Sequence, residues 1–239
     1  MELIDGLKIH VEEYGSGKPI ILLHGWGASG KTFEGLKDHL NAYRVIVFDL
    51  PGFGDSEEVK KDFNLDYYVK IIRMYVEKHE LEEPIILGHS FGGRIAIKYA
   101  SIYPVRSLIL VDSAGIKRRD FKYYIKVYSY KILKSLGIKI NTGSTDYQNA
   151  SPIMKEVLKR VTDEDLRDAL KLIKAKTLIV WGENDLVTPL ADAFLMETLI
   201  TDSGLVIIPK VGHYCYLEDF NYFILVLDSF LSSLESEEE

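Results

Sequence analysis

The chain of 239 residues has one cysteine, Cys215. An intramolecular disulfide is therefore excluded, and so is any zinc site built on several thiolates. Proline is scarce as well, at 7 residues, and the 18 glycines follow no period, which excludes collagen-like and low-complexity chains. Nowhere do about 18 uncharged apolar residues run together, the minimum for a spanning helix, so stable membrane insertion is not expected. Basic residues are outnumbered, 29 Lys and Arg against 36 Asp and Glu, for a net charge of −7. That balance argues against broad binding to nucleic acid, whose phosphates need a cationic surface. The opening MELIDGLKIHVEEY has neither a basic region ahead of an apolar stretch nor a small-residue cleavage site, and the expectation is a cytoplasmic protein. What remains, 47% apolar and 27% charged, suits one large α/β domain with an insertion.

Six short β-branched runs dominate the pattern: PIILLHG (19–25), RVIVFDL (44–50), PIILGHS (84–90), SLILVDS (107–113), TLIVWG (177–182) and GLVIIP (204–209). Near-continuous apolar strands of this kind belong to a parallel sheet covered on both faces. Amphipathic patterns lie between them, clearest over 65–79, where Tyr68, Ile71, Ile72, Tyr75 and Val76 recur at helical steps. Similar patterns fall near 31–41, 91–103, 189–200 and 218–234. Ahead of the first run, Asp5-Gly6 between Leu3-Ile4 and residues 8–14 signals a β-hairpin. The count predicts an eight-stranded, mostly parallel sheet flanked by helices. Residues 116–174 break the alternation, with two helical patterns around a polar stretch at 141–151 and no strand. The division expected is a core of 1–115 and 175–239, interrupted by a helical insertion at 116–174.

Gly88-His89-Ser90-Phe91-Gly92 lies where a strand ends and a helix begins, the setting of the G-x-S-x-G nucleophile elbow. A serine hydroxyl attacks only when a base removes its proton, so a histidine and an orienting acid are required. Asp185 follows the strand TLIVWG, and His213 follows GLVIIP. Both stand at carboxyl ends of strands, where open α/β sheets place their sites. Asp112, which also ends a strand, competes for the acid role, with helix capping or a hinge as its structural alternative. An oxyanion needs preorganised donors, and the backbone N–H groups of Phe91 and of Trp26 in His24-Gly25-Trp26-Gly27 are the candidates. The Trp26 side chain is a candidate for the pocket wall.

A nucleotide site competes for the same loop. Residues 25–32, GWGASGKT, match the phosphate-loop pattern G-x-x-x-x-G-K-[ST], and Asp49-Leu50-Pro51-Gly52 matches a D-x-x-G turn. No N-K-x-D guanine-recognition motif follows, and that reading leaves the elbow, Asp185 and His213 without a role. Lys31-Thr32 then reads as the exposed start of a helix.

Jointly, HGWG at 24–27, the D-x-P-G-x-G-x-S turn at 49–56, GHSFGG at 88–93, WGENDLVTP at 181–189 and GH at 212–213 give the chain its family: it resembles the α/β-hydrolase superfamily, and its Ser-triad carboxylesterase-like branch, over essentially its whole length. The resemblance implies an eight-stranded sheet with a helical cap at the insertion, nucleophile Ser90, acid Asp185, base His213, and an oxyanion hole from Trp26 and Phe91. Serine at position 90 in place of aspartate sets the chain apart from dehalogenases and epoxide hydrolases. The implied reaction is hydrolysis of a carboxylic ester or thioester, on a small to medium apolar substrate, through an acyl-enzyme, with no cofactor and no metal. The alternatives are a C–C bond hydrolase on the same triad and a non-catalytic ligand-binding protein of this fold.

The insertion adds one further expectation. Residues 117–139 hold eight Lys or Arg and one Asp, with Phe121, Tyr124, Tyr128 and Ile132 at helical spacing. Packing alone, or docking on a membrane surface, would explain such a stretch. The reading adopted is a lid whose apolar face roofs the pocket, with Tyr124 and Tyr128 lining it.

Overall fold

The protein is described by a computed structural model covering residues 1–59, 63–117 and 151–236. Asp5 and Gly6 take φ values of 48° and 80°, the pair of positive angles that a two-residue hairpin turn requires. On either side of them β1 (Glu2–Ile4) and β2 (Leu7–Ile9) pair antiparallel. The expected strand over 8–14 does not continue unbroken. His10 gives its N–H to the Ser56 hydroxyl at 2.8 Å and its carbonyl to the Asp49 N–H at 3.0 Å. The chain then leaves β2 and begins β3 (Val11–Tyr14) in a different sheet. The expected eight-stranded sheet is thus a seven-stranded sheet plus a separate two-stranded hairpin, because the loop after the fifth strand takes the ladder partners at residue 10.

The six apolar runs form β4 (Pro19–Leu23), β5 (Arg44–Phe48), β6 (Ile85–His89), β7 (Ser107–Val111), β8 (Lys176–Gly182) and β9 (Ser203–Ile208). Their order is β3-β5-β4-β6-β7-β8-β9, with β3 antiparallel to β5 and every other pair parallel. β6 and β7 are buried at every position, which is why their sequences show no polar alternation. Alternate residues still face opposite sides. Ile21, Leu23, Ile86, Leu108 and Leu110 enter one core cluster, while Ile20, Leu22, Leu87, Ile109 and Val111 enter the other. Each such aliphatic side chain stabilises the fold by about 1.5–3 kcal/mol through burial.

Helices cover both faces. α1 (Leu65–Lys78) starts at Asn64, whose side chain accepts the Tyr67 N–H, and α2 (Phe91–Ala100) packs beside it on the first cluster. α3 (Pro152–Asp163) is capped by Ser151, which accepts the Met154 N–H at 3.2 Å, and has proline in its first turn. It is followed by α4 (Arg167–Leu170), α5 (Leu190–Leu199), α6 (Cys215–Glu218) and α7 (Phe220–Ser236). The pattern expected as a helix near 31–41 is instead a short 3-10 helix, Gly30–Leu36. Gly30 and Gly35 weaken an α-helix there, and a Cβ at Gly35 would lie 3.1 Å from the Phe220 ring.

The described end of the insertion is anchored to the core. Met154 fills the space above Gly52, where a Cβ would come within 2.6 Å of its sulfur. The Leu166 N–H donates to Gly115 at 3.0 Å, and the Lys98 ammonium bridges Asp66 and Glu164. Most of the expected lid, with Tyr124 and Tyr128, falls outside the described residues. Among the described residues no helix is long and apolar enough to cross a membrane.

Candidate active site

Ser90 follows the last residue of β6 with φ 51° and ψ −109°, a left-handed backbone that costs a non-glycine residue about 1–3 kcal/mol unless its surroundings enforce it. Here they do. Its N–H donates to Val111 at 3.1 Å, its carbonyl accepts the Ala114 N–H at 3.0 Å, and the Gly92 N–H donates to His24 at 3.1 Å. A Cβ at Gly92 would stand 2.0 Å from the Leu23 carbonyl oxygen, and one at Gly88 2.5 Å from the Gly92 oxygen. Both glycines of the elbow are thus required by close approach.

The three residues picked out from strand ends meet in space. Ser90 Oγ lies 2.9 Å from His213 Nε2, and His213 Nδ1 lies 2.8 Å from Asp185 Oδ2. Asp185 Oδ1 accepts the N–H groups of Val187 at 2.7 Å and Thr188 at 3.0 Å, while Oδ2 also accepts the Thr188 hydroxyl at 2.5 Å. Burial pushes the Asp185 carboxyl up, but hydrogen bonds from His213 and Thr188, with the Val187 N–H, outweigh it and hold the group below its ordinary value. The arrangement keeps an ionised carboxylate on the side of the imidazole away from the serine.

Asp112 is bonded elsewhere. Both of its carboxylate oxygens accept backbone N–H groups, that of Gly182 at 2.8 Å and that of Cys215, the first residue of α6, at 3.0 Å.

The loop after β4 brings Trp26 beside Phe91, their rings 5.2 Å apart and edge to face, with Phe53 4.8 Å from Trp26. Among the described residues neither the Trp26 nor the Phe91 backbone N–H is used by a protein acceptor. His24, fully buried, fastens this loop. Its Nδ1–H donates to the Gly25 carbonyl at 2.7 Å, and its Nε2 accepts the Leu50 N–H at 3.0 Å. Burial holds that imidazole neutral, with its pKa pushed down to about 4.

Sequence reasoning passed over several of these supports. His89 donates from Nε2 to the His213 carbonyl at 2.8 Å, and burial pushes its pKa down to about 3. Glu218 accepts the N–H groups of Gly212 and Tyr214 on either side of His213, at 2.8 and 3.2 Å. Only Thr188 had a local signal, its position three residues after Asp185 in an Asx-type turn.

The phosphate-loop match has no cradle behind it. The Gly30 N–H donates to Asp49 Oδ1 at 2.6 Å and the Thr32 N–H to the Ser29 carbonyl at 3.1 Å, so a carboxylate holds the position a phosphate would need. Asp49 also accepts the Asp55 N–H at 2.8 Å and His10 Nδ1 at 3.0 Å. His10, Asp49 and Asp55 are the one described group of metal-type donors that converges, within 4.8 Å, and the Asp49 oxygens in it are already hydrogen-bonded.

A family model described as alpha/beta hydrolase fold matches residues 18–130. An esterase from Exiguobacterium antarcticum superposes with a TM-score of 0.78 at 29% identity, over 96% of this chain and 97% of that one. The chain has the α/β-hydrolase fold. Two curated relatives of this hydrolase are similar at 28% identity. One is the AB hydrolase superfamily protein YisY of Bacillus subtilis, matched over 88% of this chain and 90% of the relative. The other is the pimeloyl-[acyl-carrier protein] methyl ester esterase of Shewanella woodyi, matched over 94% and 98%.

Proposed function

We propose that this hydrolase cleaves carboxylic esters by a Ser90–His213–Asp185 triad through an acyl-enzyme. The observation that carries the reading is the unbroken chain of contacts from Ser90 Oγ through the imidazole to the buried Asp185 carboxylate, at 2.9 and 2.8 Å. With Nδ1–H donating to Asp185, Nε2 is left bare toward the serine and accepts its proton as Oγ attacks the carbonyl carbon. The oxygen of the tetrahedral intermediate turns to the N–H groups of Trp26 and Phe91. A donor of this kind is worth on the order of a hundred- to a thousandfold in rate. The imidazolium then gives its proton to the departing alcohol. Water, deprotonated by the same nitrogen, releases the acid and frees Ser90.

The relatives named as esterases support the ester class. The half-buried rings of Trp26 and Phe53, packed together beside Phe91, favour a small to medium apolar substrate. A thioester would follow the same course, and the reaction draws on neither cofactor nor metal. Residues 116–174 are proposed as the cap over the carboxyl edge of the sheet, with Tyr124 and Tyr128 in the pocket wall.

A fluorophosphonate probe mapped by mass spectrometry, followed by a chain-length panel of p-nitrophenyl esters, tests the reading. Labelling at Ser90 with turnover of short and medium esters is expected. Labelling with no ester or thioester turnover, but with cleavage of a β-diketone, would move the assignment to C–C hydrolysis. No labelling and no turnover would leave a ligand-binding protein on the hydrolase fold.

A further inference from the structure

Asp112 directly follows β7 and is fully buried, with φ 43°. A buried carboxylate is costly unless its oxygens are hydrogen-bonded, and its partners here are informative. One oxygen accepts the N–H of Gly182, three residues before Asp185. The other accepts the N–H of Cys215, two residues after His213. The backbone of Asp112 adds to the same joint. Its N–H donates to Val180 at 3.0 Å, and its carbonyl lies 3.1 Å from the Thr188 hydroxyl, the group that also reaches Asp185 at 2.5 Å.

We propose that Asp112 is a positioning residue: its carboxylate joins the loop bearing Asp185 to the loop bearing His213 and sets the spacing between acid and base. The proposal rests on the triad reading above. The two loops come from strands β8 and β9, and the carboxylate binds the start of one and the far side of the other. A neutral substitute of the same size cannot do this, because an amide offers one acceptor and one donor where two N–H groups point inward. Burial pushes the Asp112 carboxyl up to about 6 against the pull of those N–H groups. The titratable groups that bear on it are the Cys215 thiol, which hydrogen-bonds to it, and Asp185, with Tyr216 and Glu218 acting on the same α6 segment and His213 two residues from Cys215.

The test is Asp112→Asn, since asparagine tolerates a left-handed backbone. Loss of one charged hydrogen bond should lower kcat on the order of ten- to a hundredfold with little change in KM. The acid limb of kcat/KM should move to lower pH, because a negative charge that favours the imidazolium has gone. A residue that served packing alone would leave that limb in place. Wild-type kcat with an unmoved limb would overturn the proposal, and so would a loss as deep as that of Asp185→Asn, which would mark a direct acid role. Should Asp112→Asn lose its cooperative unfolding transition, Asp112→Ser, which leaves room for a water between the two N–H groups, is judged by the same two outcomes. Wild-type protein that is not labelled at Ser90 would defeat the triad reading itself. A labelled wild type beside an unaffected Asp112→Asn would defeat this proposal only.

Discussion

At the amino edge of the sheet, Glu80 and Glu83 hold φ values of 50° and 36° in exposed turns before β6, whereas at the carboxyl edge Ser90 and Asp112 hold 51° and 43° directly after β6 and β7. The angles are alike but the surroundings differ. Glu80 stands at the end of α1, where the Leu81 N–H reaches back to Val76 at 3.0 Å, an ordinary helix-terminating turn that glycine usually occupies. It lines a cleft of about 500 Å³ with the charged residues Lys18, Arg44, Glu82, Glu83 and Arg106. Ser90 and Asp112 instead stand among His24, His89, Asp185 and Thr188, none more than 7% exposed except Ser90 itself, and each of these side chains is hydrogen-bonded. Strain and cleft volume are therefore poor guides to chemistry in this molecule. Polar groups bonded together in dry surroundings are better ones, because there each bond is stronger and each missing partner costs more.

Substitutions can test that contrast from its strongest point downward. Ser90→Ala should leave the fold intact and abolish ester turnover. Activity above about a thousandth of wild type would contradict its role as nucleophile. Asp185→Asn should lower kcat by about 10⁴, since an amide at that position favours the wrong imidazole tautomer, and steady-state kinetics against the wild type will show whether it does.

The buried imidazoles give the carboxyl edge a pH signature. His24 and His89 are pushed by burial from 6.5 down to about 4 and about 3, so the unfolded chain binds protons that the folded one refuses. Their contribution is complete above pH 6.5 and is lost as pH falls toward 4 and then 3. Asp112, raised by burial from 3.8 to about 6, acts in the opposite sense between those values but is one group against two. The urea midpoint should therefore fall on acidification from pH 7 to 4, and a level midpoint over that range would show that these histidines are charged in the folded state. The smallest effect belongs to the amino edge. Glu80→Gly should raise stability by about 1 kcal/mol in urea melts by relieving the left-handed backbone, with kcat unchanged. A fall in kcat would mean that the two edges are coupled.

Much of the fold was open to reading because its signals are local. Six apolar runs became six strands, and a turn at Asp5-Gly6 became the hairpin. The break at His10 was not open in this way, since its partners, Ser56 and Asp49, lie about forty residues or more away. The 3-10 helix at Gly30–Leu36 showed a helical pattern, but Gly30 and Gly35 within it disfavour an α-helix.

Within the site, sequence order together with strand ends pointed to Ser90, Asp185 and His213, because a parallel sheet must bring the carboxyl ends of its strands to one edge. The elbow glycines were equally determined, as no other residue fits between neighbouring backbones. The sequence favoured Asp185 over Asp112 as the acid, but what the Asp112 carboxylate binds instead, the N–H groups of Gly182 and Cys215, was left to tertiary structure, since these lie 70 and 103 residues away. His24 and His89 owe their places to the same cause. Each holds a backbone group whose position depends on how separate strands and loops pack, and a hydrogen bond between distant segments leaves no spacing in the chain from which it could be read.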